Sequence, residues 1–249
     1  MRSLRSLIFA LLASAAVAGL SPMPALAGNF SISPVRLDLS AAARTAALTV
    51  RNNDREVLVQ AEVLLWEQHT GEDRLTPTRD LLVSPAVFTV PKNGSQLVRV
   101  ALRGAPSNPA QELSYRLILQ EVPQPANPDF SGLQVALRLS IPIFVANVEA
   151  TGPALAWSAT ASGDGLIITA QNSGDVHARI HGFSVAPALD DGAALSQPVA
   201  AYILPGQTQS WTLRPATGSH GSTADWRQVR LTVTTDDGES KLELDTTGE

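Results

Sequence analysis

From Asn29 onward, the chain is a succession of short segments in which apolar and polar residues alternate. Gly, Pro, Asn and Asp separate these segments, and apolar residues at helical spacing are almost absent. Such alternation is typical of strands with one buried face, and the separating residues are typical of turns. The pattern therefore predicts an all-β chain with strands at 30–39, 46–52, 57–67, 86–90, 96–103, 113–121 and 132–145, followed by 154–160, 165–172, 177–186, 198–204, 208–214, 226–234 and 240–245.

The predicted strands form two groups of similar size. Thr151-Gly152-Pro153 interrupts the alternation between them. Each group has the strand number and turn spacing of an immunoglobulin-like β-sandwich. We therefore predict two immunoglobulin-like domains, residues 28–147 and residues 151–249.

Residues 1–27 have the features of a secretory signal peptide. Two arginines precede the apolar run 7–20, and Ala25-Leu26-Ala27 provides a cleavage site of small residues. The run is shorter than the ~20 residues that span a bilayer, so a membrane anchor is the weaker alternative. No later segment is apolar enough to span a membrane, so the mature protein is expected to be soluble and exported to the periplasm.

The mature chain is expected to begin at Gly28, because the small-residue site ends at Ala27. Intact mass spectrometry of the exported protein measures this directly. A membrane-bound chain that retains Met1 would contradict the prediction.

Composition and motifs argue against most kinds of chemistry. The chain has no cysteine, which removes disulfides, thiol nucleophiles and thiolate metal sites. Its formal net charge is −5, which is unsuited to nucleic acid. His177 and His181 would lie ~13 Å apart on a strand, too far to share a metal, and are expected at ordinary exposed positions. We find no catalytic motif and predict a protein that is not an enzyme and has no cofactor or metal.

One predicted strand is unusually long and apolar. Its alternate residues all lie on one face: Leu133, Val135, Leu137, Leu139, Ile141, Ile143 and Val145. They could belong to the core of the domain itself, which is the commoner role of such a stripe. However, Pro142 cannot donate to a sheet ladder and favours a strand edge or bulge. An exposed apolar edge is hazardous unless it pairs with another chain, which favours strand donation.

The chain resembles the periplasmic chaperones of chaperone–usher pilus assembly over essentially its whole mature length. Five segments carry this resemblance. They are Ile32-Ser33-Pro34-Val35-Arg36-Leu37, Glu112-Leu113-Ser114-Tyr115-Arg116 with Gln120-Glu121-Val122-Pro123, the stripe segments 133–137 and 141–145, Asn172-Ser173-Gly174-Asp175-Val176-His177-Ala178-Arg179-Ile180, and Tyr202-Ile203-Leu204-Pro205-Gly206-Gln207.

The resemblance implies two immunoglobulin-like domains in an L-shaped arrangement. It also implies binding of pilus subunits (pilins), which lack a strand, and their delivery to an outer-membrane usher. Donor-strand complementation is the general mode by which such chaperones act. The side chains that would fill the subunit groove are Leu133, Val135, Leu137, Leu139 and Ile141.

The family clamps the terminal carboxylate of the subunit between an arginine and a lysine. Arg36 matches the arginine, but the position of the lysine is Pro142. The alternative role for Arg36 is a salt bridge within the chain, to Asp38 or Glu112. Arg99 and Arg116 are the candidates to substitute for the lysine. Glu112 matches an acid that in the family often pairs with a basic residue across the domain interface. The position of that basic residue is Ala146 in this chain. These departures indicate a divergent branch of the family.

A function of another class also fits the sequence. A secreted two-domain adhesin or structural surface protein would bury the whole stripe in its own core. It would be a stable monomer, or would self-assemble, without a pilin complex. The tryptophans at 66, 157, 211 and 226 are expected to pack in the core, with partial exposure left open for Trp66, which lies beside polar residues.

Overall fold

The computed structural model of the chain describes residues 30–104, 110–123, 135–146, 149–162, 165–188, 194–214 and 226–248. All regular secondary structure in these ranges is β-strand. The all-β prediction is therefore confirmed. The described part contains no helix that is long and apolar enough to cross a membrane. The predicted signal peptide and its cleavage site lie outside the described residues.

Ten strands build the first domain. They are β1 (Phe30–Ser33), β2 (Leu37–Ser40), β3 (Thr45–Asn52), β4 (Val57–His69), β5 (Glu72–Pro77), β6 (Leu81–Ser84), β7 (Val87–Val90), β8 (Gly94–Leu102), β9 (Leu113–Glu121) and β10 (Arg138–Ala146). One sheet has the order β1-β3-β8-β6. The other has the order β2-β10-β9-β4-β5, with β7 paired to β4.

The core of the first domain lies between these two sheets. Alternate residues of the strands point inward, as a two-residue period requires. Leu48 and Val50 of β3 meet Leu117 and Leu119 of β9 in one buried cluster. Each such side chain contributes about 1.5–3 kcal/mol when it is fully buried.

The predicted strand 30–39 is two strands in different sheets. β1 pairs with β3 in the first sheet, whereas β2 pairs with β10 in the second. Pro34 lies between them and has no N–H to continue a ladder, which explains the break. The sequence prediction also missed β5 and β6.

Seven strands build the second domain. They are β11 (Leu155–Ser162), β12 (Gly165–Asn172), β13 (Ala178–Pro187), β14 (Leu195–Ile203), β15 (Thr208–Leu213), β16 (Gln228–Thr235) and β17 (Gly238–Gly248). Their order is β14-β13-β16-β17-β11-β12-β15. Leu166 and Ile168 of β12 share one core with Val229 and Leu231 of β16. All the strands predicted for this half are present, with ends shifted by a few residues.

The two domains meet through a small buried cluster of their own. Trp66 and Phe144 of the first domain pack against Leu204 of the second. Trp66 is only 2% exposed, which agrees with the expected core packing and excludes the partial exposure that the sequence left open for it. The neighbouring polar residues are part of the same joint, because Gln68 Oε1 accepts a hydrogen bond from the backbone N–H of Leu204 at 3.0 Å.

Candidate functional site

The first half of β10 has an open edge. On one side, Arg138 to Val145 pair with β9 in antiparallel register. On the other side, the parallel pairing with β2 begins only at Ile143. Within the described residues, no strand covers this second edge over 138–142. Unpaired backbone groups are therefore available there to another strand.

The alternating direction of the backbone groups along β10 determines which N–H and C=O groups face the open edge. The C=O of Leu137 accepts a hydrogen bond from the N–H of Glu121 in β9 at 2.8 Å. Because the direction alternates in an antiparallel pair, Arg138 and Ser140 direct their N–H and C=O groups to the open edge. Pro142 also faces that edge, where its missing N–H removes no bond to β9. The position of Pro142 at this edge agrees with the sequence analysis, which placed the proline at a strand edge or a bulge.

The apolar stripe divides into an exposed part and a buried part. Val135 is 61% exposed and Leu137 is 36% exposed. Leu139 is half-buried against the core, and Ile141 is only 4% exposed within it. The prediction that Ile141 contacts a subunit therefore needs correction, because its side chain packs in its own domain. Leu133 lies outside the described residues.

Glu121 holds the exposed segment at the start of β10. Its carboxylate Oε2 accepts the N–H of Leu137 at 3.3 Å. Oε1 accepts from Arg55 Nη2 at 2.6 Å. Both backbone groups of Leu137 are thus bound to Glu121, which fixes the segment that leads into β10.

Arg36 lies between β1 and β2 and forms two ion pairs. Its Nε is 3.2 Å from Asp38 Oδ2, and its Nη1 is 3.2 Å from Asp236 Oδ2 in the second domain. The side chain of Arg36 is 37% exposed and therefore not buried. Burial would lower the pKa of Arg36, but the charges of both carboxylates outweigh it and raise that pKa. Arg36 is therefore a fixed cation at the junction of the domains.

The two candidates to substitute for the missing lysine lie in different sheets. Arg99 is exposed on β8, which belongs to the sheet opposite β10. Arg116 lies directly across from Pro142 in register. However, its guanidinium stacks 3.5 Å above the ring of Trp66 and is 3.7 Å from Asp73 Oδ2.

The sequence reasoning missed the partner of Glu112. Glu112 Oε1 is 2.7 Å from Nδ1 of His177, and both side chains are almost fully buried. The imidazole of His177 also stacks on Phe144, with ring centroids 3.5 Å apart. The expectation of an ordinary exposed position is therefore wrong for His177. No signal in the sequence separated this histidine from the others, because its role depends on contact between the domains.

No metal centre is evident in the part of the chain that the structure describes. Within it, no three His, Asp or Glu side chains lie close enough together to hold an ion. His177 and His181 each pair with a different carboxylate. The open edge of β10 can bind a strand, and Arg36 can bind an anion.

The fold resembles that of several solved chaperones. The YadV chaperone has a TM-score of 0.63 and 19% identity, with 87% of this chain and 100% of that chain covered. CsuC in the CsuC–CsuE chaperone–tip subunit complex of Acinetobacter baumannii has a TM-score of 0.62 and 20% identity, covering 89% and 99%. The SafA pilin–SafB chaperone complex of Salmonella enterica gives 0.57 and 20%, covering 88% and 97%. These likenesses show the fold, which consists of two immunoglobulin-like β-sandwich domains.

Two sequence comparisons also match proteins of pilus assembly. Residues 29–147 match the model of the pili and flagellar-assembly chaperones, PapD N-terminal domain. The chain is 34% identical over 97 residues to the chaperone protein FaeE of Escherichia coli. That match covers 39% of this chain and spans 35% of the length of FaeE. The match over residues 29–147 makes the first domain similar to that of the pilus-assembly chaperones.

Proposed function

We propose that this protein is a periplasmic chaperone that binds a pilus subunit by donating a β-strand and delivers it to an outer-membrane usher. The observation that supports the proposal most strongly is the open edge of β10 at 138–142. The exposed apolar residues Val135 and Leu137 lie in the segment that leads directly into this strand. Main-chain hydrogen bonds give affinity in strand addition, and alternate side chains in pockets give specificity.

The exposed stripe supplies the apolar part of the binding energy. Fully burying side chains such as those of Val135 and Leu137 contributes about 1.5–3 kcal/mol each. We include Leu133 in the donated strand because it continues the apolar stripe in the sequence. We include Leu139 because part of its side chain is exposed. Ile141 is left out because it is already buried in the chaperone. The hydrogen bonds of the open edge add about 1 kcal/mol each.

We assign Arg36 to the terminal carboxylate of the subunit. Arg36 lies on the chain segment that leads into β2, the strand that pairs with the second half of β10. A charge-assisted hydrogen bond from a guanidinium to a carboxylate contributes about 1.5–3 kcal/mol. The family match favours this function over that of an adhesin or a structural surface protein.

Arg36→Gln is expected to reduce the amount of subunit recovered with the chaperone by about ten-fold or more, because the lost charge-assisted bond contributes about 1.5–3 kcal/mol. The tagged protein is purified from periplasm, and co-purified proteins are identified and quantified by mass spectrometry. Arg99→Gln removes an exposed arginine from the opposite sheet and is the matched control. Equal recovery of the subunit with both variants would contradict the assignment. The absence of any subunit from the wild-type sample would also contradict it.

A further inference from the structure

Arg36 is already occupied by a carboxylate of the chaperone itself. Asp236 lies in the turn between β16 and β17, and its Oδ2 is 3.2 Å from Arg36 Nη1. The other oxygen of the same carboxylate, Oδ1, is 2.7 Å from Nε2 of His181. Asp236 therefore bridges a nitrogen of the first domain and a nitrogen of the second through separate oxygens.

Local backbone structure brings His181 to Asp236. Ile180 pairs with Thr235 and Gly182 pairs with Thr234, so His181 is the extra residue of a β-bulge in β13. A bulge bends its strand and redirects a side chain. The second domain thus fixes both His181 and Asp236, whereas Arg36 comes from the first domain.

The environment of Asp236 favours its ionised form. Burial would raise the pKa of Asp236, but the hydrogen bond from His181 and the charges of Arg179 and Arg36 outweigh it and hold that pKa below its usual range. The Asp236 and Arg36 side chains are 40% and 37% exposed, respectively. Ion pairs this exposed contribute little to stability, so the bond to Arg36 can be exchanged at low cost.

We infer that Asp236 is an internal substitute for the terminal carboxylate of the subunit. It occupies Arg36 in the free chaperone and yields Arg36 to the incoming carboxylate, while its other oxygen stays bound to His181. This inference rests on the proposed role of Arg36. The exchange makes the chaperone selective for a subunit over small free carboxylates. A small free carboxylate must displace Asp236 without the help of any other contact. A subunit carboxylate is held in place by the strand contacts and therefore binds at a high effective concentration.

The inference is tested with the mature full-length protein and a short probe. Acetyl-dialanine with a free terminal carboxylate is titrated against ¹⁵N-arginine-labelled protein, and the Arg36 side-chain resonance is followed by NMR. Asp236→Asn is expected to bind the probe about three- to five-fold more tightly than the wild type, because one exposed competing ion pair is lost. The same peptide with a terminal amide is expected to show no gain.

Asp237→Asn is the matched control. Asp237 is the other residue of the same turn, and it forms no ion pair among the described residues. This variant removes the same charge and is expected to bind the probe as the wild type does. Adding Arg36→Gln to Asp236→Asn is expected to abolish the gain. Equal binding by Asp236→Asn and wild type, an equal gain with Asp237→Asn or the amide peptide, or no binding by any variant would overturn the inference.

The titration needs no subunit, so its result is independent of the proposed function. A gain with Asp236→Asn, together with no subunit in periplasmic purifications, would leave the carboxylate exchange intact and overturn the role in subunit binding. Recovery of a subunit complex together with an unchanged titration would overturn the exchange alone.

Discussion

Leu137→Asp is expected to abolish recovery of a subunit complex while lowering the melting temperature of the free chaperone by only a few degrees. Leu137 is 36% exposed at the start of the open edge, where an aspartate remains in contact with water. The lost contacts amount to about 1 kcal/mol, which corresponds to about 2–4 °C in a chain of this size. In a subunit groove, the same carboxylate would be buried without a partner, at a cost of several kcal/mol. Thermal unfolding of the free variant and the yield of co-purified subunit measure the two effects.

Two further variants make this experiment decisive. Ile141→Asp changes the same face of the same strand four residues later, but it places a carboxylate in the core of the first domain. It is expected to unfold that domain, because the cost approaches the whole stability of 5–15 kcal/mol. Leu82→Asp changes an exposed leucine of β6 in the opposite sheet and should affect neither property. An undiminished complex with Leu137→Asp, or a melting point as low as that of Ile141→Asp, would contradict strand donation.

The stripe illustrates what the sequence determines and what it leaves open. Its period of two predicts a shared face, and the odd-numbered residues from Leu139 to Val145 do point to the core side of β10. The sequence cannot show where the core ends, because exposure depends on the length of the strands that cover each residue. Val135 and Ile141 are both apolar residues at alternate positions of the same stripe. Val135 is nevertheless 61% exposed, whereas Ile141 is 4% exposed. Burial along one strand is a property of the packed domain.

The contacts between the domains were the least predictable part. The predicted strands 226–234 and 240–245 correctly leave a turn around Asp236, where Gly238 has the positive φ of 113° that glycine adopts without strain. Nothing in that turn indicated Arg36 as a partner, because the two residues are far apart in sequence. His181 was equally hidden, since it depends on a β-bulge that no residue pattern marked. Side chains at a domain joint are selected by long-range geometry, for which alternation and turn chemistry give no signal.

Gln68→Ala is expected to uncouple the two domains. Gln68 Nε2 donates to the C=O of Tyr202 at 2.9 Å, and Oε1 accepts from the N–H of Leu204 at 3.0 Å. The alanine variant leaves two backbone groups of the second domain without partners beside Trp66. Unpaired buried groups cost about 1–3 kcal/mol each, so the loss of both partners should weaken the joint by about 2–6 kcal/mol. In differential scanning calorimetry, we expect the single transition of the wild type to become two.

Gln60→Ala is the matched control for this uncoupling, because Gln60 is an exposed glutamine on the same strand, β4. It should leave the calorimetric transition unchanged. The joint also determines whether Arg36 and Asp236 can meet, since they come from different domains and lie 3.2 Å apart. Gln68→Ala should therefore release Arg36 even though Asp236 is intact, and the Arg36 NMR resonance should shift towards its position in Asp236→Asn. One transition at the wild-type temperature, with an unshifted Arg36 resonance, would show that the apolar cluster around Trp66 holds the domains together without Gln68.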